Sequence, residues 1–158
     1  MAEDDPLLRH GRQIIVRENW LGLTEEEILE PSLPIVDPHH HLWERDGGHS
    51  YLLPHLLADT ASGHDIRATI FVQCGEMYRA GGPAEEQSLG ETEFVTGAAA
   101  VSASGRHGPV RACAGIIGMV DLTLGDKVEA LLEKHRAIAG GRFCGIRNRT
   151  AWHPSPDV

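Results

Sequence analysis

Basic residues are scarce in this chain. Its 158 residues carry 14 Lys and Arg against 23 Asp and Glu, a formal net charge of −9. That balance disfavours nucleic acid and anionic membrane as partners, because both attract positively charged surfaces. Long apolar runs are missing too: none approaches the roughly 20 residues needed to cross a bilayer. The opening segment "MAEDDPLLRH" is acidic and has no apolar h-region, so it does not read as a secretory signal. A cytoplasmic protein is the expectation. Cysteine is thin as well. Cys74, Cys113 and Cys144 are far apart and odd in number, and no CxxC pair occurs. Each falls in an apolar stretch that reads as a strand. Three buried thiols acting as small hydrophobes are therefore expected, rather than disulfides or zinc ligands.

What is present describes an ordinary globular domain. Hydrophobic residues make up 41% and charged residues 23% of the chain, and the length suffices for one domain with a real core. Residues 1–33 read as a helical N-terminal extension, with Thr24 placed to cap "TEEEILE" and Pro31 and Pro34 ending it. Residues 34–158 then show a rhythm. "LPIVDPH" is a short apolar run that suits a strand. "YLLPHLLADTAS" has Leu52, Leu53, Leu56 and Leu57 at helical spacing, which puts Pro54 in the first turn. "ATIFVQC" (68–74) is β-branched and aromatic, again a strand. "GETEFVTGAAAVSAS" (90–104) predicts a helix with Phe94, Ala98 and Val101 on one face. "VRACAGIIGMV" (110–120) predicts a third strand. "GDKVEALLEKHRAIAGG" (125–141) predicts a helix capped by Asp126, striped by Val128, Leu131, Leu132, His135 and Ile138, and stopped by Gly140 and Gly141. "RFCGIRN" (142–148) predicts a fourth strand.

Alternating strands and helices imply an α/β fold with a parallel sheet. The strands are nearly continuous apolar runs, as in sheets covered on both faces. Polar residues gather just after the strands: His39 and His41, Gln73 and Glu76, Asp121, and Arg147 with Asn148. In parallel α/β folds that edge is where active sites sit. The Gly- and Glu-rich loop 75–90 is placed to serve as a mobile flap.

The stretch "IVDPHHHLW" (35–43) is the sharpest signal. In a strand, residues two apart point to the same side, so His39 and His41 can converge on one ion while His40 turns away. Alone, an HxH pair is a weak signal in a chain with ten histidines and fits the capping of a strand end better than it fits a metal. Asp37 suits either orienting a ligand or bonding to backbone. Trp43 and Trp152 suit a pocket lining or core packing. Arg147 suits a substrate carboxylate or a surface ion pair.

The order of "IVDPHHHLW", "YLLPHLLADTASGH", "ATIFVQCGEMYRA", "GETEFVTGAAA" and "GRFCGIRNRTAW" resembles the first four βα units of the amidohydrolase superfamily. The nearest likeness is to its amidohydrolase-related group of metal-dependent TIM-barrel hydrolases, which includes lactonases. The resemblance spans roughly residues 33–156. It implies a partial (β/α)₈ barrel, with His39 and His41 as ligands of a divalent metal such as zinc or manganese, although some lactonases of the group use no metal. It also implies that Arg147 faces the substrate; Gln73 and Tyr78, by their place after the second strand, and Trp152, as a pocket lining, are the further candidates for substrate contact. Where the family usually has His after the Ile-Arg pair, this chain has Asn148. Relatives place a further metal- or substrate-binding His after later strands and a general-base Asp at the end of the eighth. The implied activity is hydrolysis of a lactone or related cyclic ester or amide by activated water, on a small substrate such as a carboxylate-bearing ring. The alternative from another class is an inactive half-barrel that works only by association, as a homo-oligomer or with a partner chain, since four open strands present two edges.

Overall fold

The computed structural model describes residues 17–44, 50–148 and 153–155. A single turn of helix, α1 (Glu18–Leu21), precedes the first strand, β1 (Pro34–His40). Proline opens β1, a position where its missing N–H costs no ladder bond. A two-residue pairing of β2 (Trp43–Glu44) with β3 (Ser50–Tyr51) follows, held by Trp43 stacked on Tyr51 at 5.1 Å between ring centroids. Helix α2 (Leu53–Thr60) carries Pro54 in its first turn, where an N–H would lack a helical partner in any case. The chain then runs β4 (Asp65–Val72), α3 (Leu89–Ala103), β5 (Arg111–Gly118), α4 (Lys127–Ala139) and β6 (Phe143–Ile146). Gly140 ends α4 in the left-handed conformation, at φ 56°. No helix among the described residues is long and apolar enough to cross a membrane.

Strands β1, β4, β5 and β6 form one parallel sheet in that order, each paired with the next of these four along the chain, while β2 and β3 pair apart from it. This is an α/β fold with a four-stranded parallel sheet flanked by helices. Leu56 of α2, Val95, Ala98 and Ala99 of α3, and Ala139 of α4 share one buried cluster with Phe71, Ala112, Cys113 and Ile116 of the sheet. All three helices therefore cover the same face, as repeated crossovers in one direction require. Ser102 stitches α3 to the start of β5: its Oγ donates to the Val110 carbonyl at 2.8 Å and accepts from the Ala112 N–H at 2.9 Å.

Several expectations need correction. Coverage of both sheet faces is not seen among the described residues; Val36, on the far side from the cluster, is 55% exposed. Residues 24–33 contain no helix, so Thr24 caps none, and of residues 17–33 only the α1 turn is helical. Residues 1–16 lie outside the described residues. Asp126 occupies the N-cap position of α4 without a side-chain cap bond. Asp121 does the capping nearby, its Oδ1 accepting from the Thr123 N–H at 2.9 Å. On α3, Val101 is 46% exposed, whereas Leu89, Val95, Ala99 and Ser102 are buried. The reason is that α3 packs on two sides, against β5 and against α4, so no single stripe describes it. Of the three free cysteines only Cys113 is buried; Cys74 is half-buried and Cys144 exposed.

The contact between α3 and α4 centres on His135, which is fully buried. Its Nδ1 lies 2.8 Å from Thr92 Oγ1 and its Nε2 3.1 Å from the Met119 carbonyl, with the ring stacked on Phe143. A carbonyl only accepts, so Nε2 carries the proton and the neutral ring is satisfied on both sides. Burial holds its pKa below the ordinary imidazole value of 6.5, more than the bond to Met119 raises it. The unfolded chain therefore takes up this proton first as pH falls. Stability is complete above about pH 6.5 and declines below it, by up to about 1.4 kcal/mol per pH unit from this one group. In denaturant unfolding at pH 7.5, 6.5 and 5.5, wild type should lose stability more steeply than His135→Gln. Equal slopes would show that His135 does not titrate this way.

Candidate functional site

The C-terminal edge of the sheet gathers the polar residues that follow the strands. In β1 the partners step from Asp37↔Thr69 to His40↔Phe71, three residues against two, which is a bulge over Pro38 and His39. Bulges re-aim side chains and are common beside functional sites. Asp37 helps hold this one: its Oδ1 accepts from the His39 N–H at 3.0 Å. Its recorded role is therefore with backbone.

Within the bulge His39 is exposed, and just beyond it His41 is half-buried. Their rings meet edge to face, with the two Nε2 atoms 3.3 Å apart. His41 Nδ1 lies 2.6 Å from the Val72 carbonyl. That oxygen can only accept, so Nδ1 bears the proton and Nε2 presents a lone pair towards His39. Two imidazole nitrogens bound to one tetrahedral zinc at about 2.0–2.1 Å stand roughly 3.3–3.4 Å apart. The pair fits that spacing, and a backbone carbonyl fixing the tautomer of a ligand is the usual supporting contact. The same spacing also suits a hydrogen bond from His39 Nε2–H to His41 Nε2. Burial lowers the His41 pKa, with Arg147 and His39 adding to the effect against the bond to Val72 and the charge of Glu91.

His40 faces the other way, as the period of the strand requires. It is 8% exposed, its Nε2 lies within hydrogen-bond distance of Thr69 Oγ1 at 2.9 Å, and its ring lies edge to face with Phe71. Thr69 Oγ1 in turn accepts from the Cys113 N–H at 3.0 Å, so His40 belongs to the layer beneath the helices.

Gln73 and Arg147 continue the ladders past the strand ends. The Gln73 N–H donates to the Ile117 carbonyl at 2.8 Å and the Arg147 N–H to the Gly118 carbonyl at 2.9 Å. Arg147 Nη2 donates to the Gln73 carbonyl, and Gln73 Nε2 reaches back to the Arg147 carbonyl at 3.4 Å. The Arg147 Nε is buried with no hydrogen-bond partner among the described residues. Val72 thus orients His41 and Gln73 orients Arg147, two neighbouring carbonyls serving two neighbouring side chains. The Gln73 side chain is itself 4% exposed and is spent on Arg147. Tyr78 sits further along the loop after β4, 36% exposed. Trp152 lies outside the described residues. Among the described residues no group of three or more His, Cys, Asp or Glu gathers to hold a metal. Two depressions, of about 280 and 330 Å³, lie elsewhere, one lined by Arg111 and Arg142 and the other by α4 and β6.

Glu91 is the residue that sequence reasoning passed over. It is 2% exposed, and its Oε1 accepts from three successive amides, Cys74, Gly75 and Glu76, at 2.9, 2.9 and 3.0 Å. Successive N–H groups converging this way form an anion-binding nest. Here the anion is internal. The 75–90 loop is anchored beyond this nest as well: Arg79 pairs with Glu93 of α3, and its N–H donates to the Gln87 carbonyl at 2.9 Å. The one cue in sequence is a glutamate opening a helix after a glycine-bearing loop.

Comparison with family models, curated proteins and solved structures returns no match.

Close packing of this loop on α3 gives a paired expectation. A Cβ at Gly90 would lie 2.5 Å from the Met77 carbonyl oxygen and 2.6 Å from the Arg79 nitrogen, both backbone atoms, whereas at Gly97 it would meet nothing within 4 Å. Gly90→Ala should cost about 1–3 kcal/mol. Gly97→Ala should gain roughly 0.5–1 kcal/mol from helix propensity. Thermal unfolding of the two variants checks this, and a Gly90→Ala variant as stable as wild type would contradict the packing.

Proposed function

We propose that the chain forms the first four βα units of an amidohydrolase-type barrel and acts in hydrolysis of a lactone or related cyclic ester. On this reading His39 and His41 are two ligands of a divalent metal, zinc or manganese. The observation that carries it is the 3.3 Å approach of their Nε2 atoms, with His41 locked in the required tautomer by Val72. The sheet order supports it, because strands added in sequence with helices on one face are what the first units of a βα barrel require. When bound, such a metal polarises a carbonyl and makes a water acidic enough to attack it. Arg147, already aimed by Gln73, supplies a planar cation for a substrate carboxylate or ring oxygen. Water adds to the acyl carbon, the ring C–O bond breaks, and the departing oxygen takes up a proton. The further ligand and the base come, on this reading, from outside the described residues.

A second reading is association without turnover. It is favoured by β1 and β6, each paired along one side only among the described residues, and by exposed Val36 on the helix-free face. Light scattering of the purified chain separates a monomer from a dimer.

The test of the first reading is zinc titration by calorimetry. One zinc per chain should bind, and the His39→Ala/His41→Ala variant should lose at least about tenfold in affinity. Binding should also weaken as pH falls through the imidazole range, since ligands must be neutral. Zinc bound equally by the variant would end the proposal. A panel of sugar lactones assayed beside the same variant then asks for turnover; activity that vanishes in the variant would mean that the site is completed, across a dimer or otherwise.

A further inference from the structure

We propose that Glu91 is a positioning residue for the sheet edge: by gripping the amides of residues 74–76 it fixes the two preceding carbonyls that orient His41 and Arg147. The inference deepens the site described above, but its main readout needs no metal.

The argument is geometric. Residues 72–76 form one short run with two directions of hydrogen bonding. The carbonyls of Val72 and Gln73 point to His41 Nδ1 and to the Arg147 guanidinium. The next three N–H groups turn to a single carboxyl oxygen of Glu91. That reversal needs unusual backbone, and it is present: Gly75 has φ 87° and Met77 φ 55°. A non-glycine residue held at positive φ is a strained position that its surroundings must maintain. Glu91 stands in the first turn of α3, whose packing on β5 and α4 makes it a rigid support. The carboxyl group is buried and its Oε2 has no hydrogen-bond partner among the described residues, so the bonds at Oε1 alone offset the desolvation. Those bonds go to the loop, and three hydrogen bonds from backbone N–H groups to one carboxylate are strong by the standard of such contacts. Cys74, whose own amide is the first of the three, gives a second view. Its thiol is pushed up to about 12 by burial, with the neighbouring Glu91 charge adding to it.

The experiment compares metal-free wild type, Glu91→Ala and Glu91→Gln at one fixed pH. Long-range ¹H–¹⁵N correlation reads the tautomer of His41. Wild type should show the Nδ1–H form. Glu91→Ala, once its amides are released, should show a mixture of tautomers, and Glu91→Gln, which keeps an acceptor oxygen, should restore the wild-type signal. In a Cys144→Ser background, Cys74 should react with a disulfide reagent at least about tenfold faster in Glu91→Ala. A folded Glu91→Ala with an unchanged His41 tautomer and unchanged Cys74 rate would overturn the proposal. If Glu91→Ala does not fold, Glu91→Asp takes its place: the shorter arm cannot span three amides, so it should lose the tautomer while Glu91→Gln keeps it, and identical signals would overturn the idea equally. Zinc affinity is a separate arm. A loss of about 10–100-fold in Glu91→Ala follows if the pair binds metal. Wild type that binds no zinc would refute the metal reading alone and leave the tautomer result standing.

Discussion

Parallel pairing is the constraint on which the rest depends. Four strands running one way must deliver all their C-terminal ends to one edge, whatever side chains they carry. Backbone bonds then carry the alignment beyond the strands, from Gln73 to Ile117 and from Arg147 to Gly118. Each such bond is worth only about 1 kcal/mol net, yet together they set the register in which His41, Gln73 and Arg147 meet. Residues 41, 73 and 147 become neighbours through ladders rather than through attraction for one another.

Much of this was legible because it rests on period. Two-residue alternation separates His39 and His41 from His40, and the helical spacing of Leu131 and His135 marks the inner face of α4. Pro54 within a leucine pattern locates the first turn of α2. Other features leave no trace in side-chain pattern. The Val72 carbonyl that selects the His41 tautomer is a backbone atom like any other. Glu91 is a charged residue of a type almost never fully buried, and only a reversal of the chain at Gly75 makes its burial tolerable. "TEEEILE" has the local signs of a helix start, but a short helix needs a face to bury, and Leu29 is 89% exposed. The β2–β3 pairing is too short to show alternation. Continuous apolar strands suggested two covered faces, whereas the helices lie on one. The amidohydrolase likeness rests on sequence strings, and what the structure adds is the α/β architecture and the arrangement of the edge.

The two edges of the sheet differ. β1 contains Pro34 and Pro38 among its seven residues, and neither can donate to a further strand. Prolines and bulges are common guards on exposed edges. β6 has no such guard: Phe143, Cys144, Gly145 and Ile146 all retain their amides. An added strand would be accepted more readily beside β6 than beside β1. Gly115 and Gly118 keep β5 thin at that side of the sheet, where a Cβ would come within 3.0 Å of Cys144 Sγ or of the Phe143 ring.

Strand order also governs how the chain can acquire its structure in time. Each strand of the four pairs with the one that follows it in sequence, so no strand waits for a distant partner. A ribosome releases roughly 5–20 residues per second, and each emerging βα unit finds its docking edge already made. Loop closure is then a series of short steps, the circumstance in which folding is fast. The expense falls at the growing margin, where every unit in turn is the unprotected one until its successor arrives.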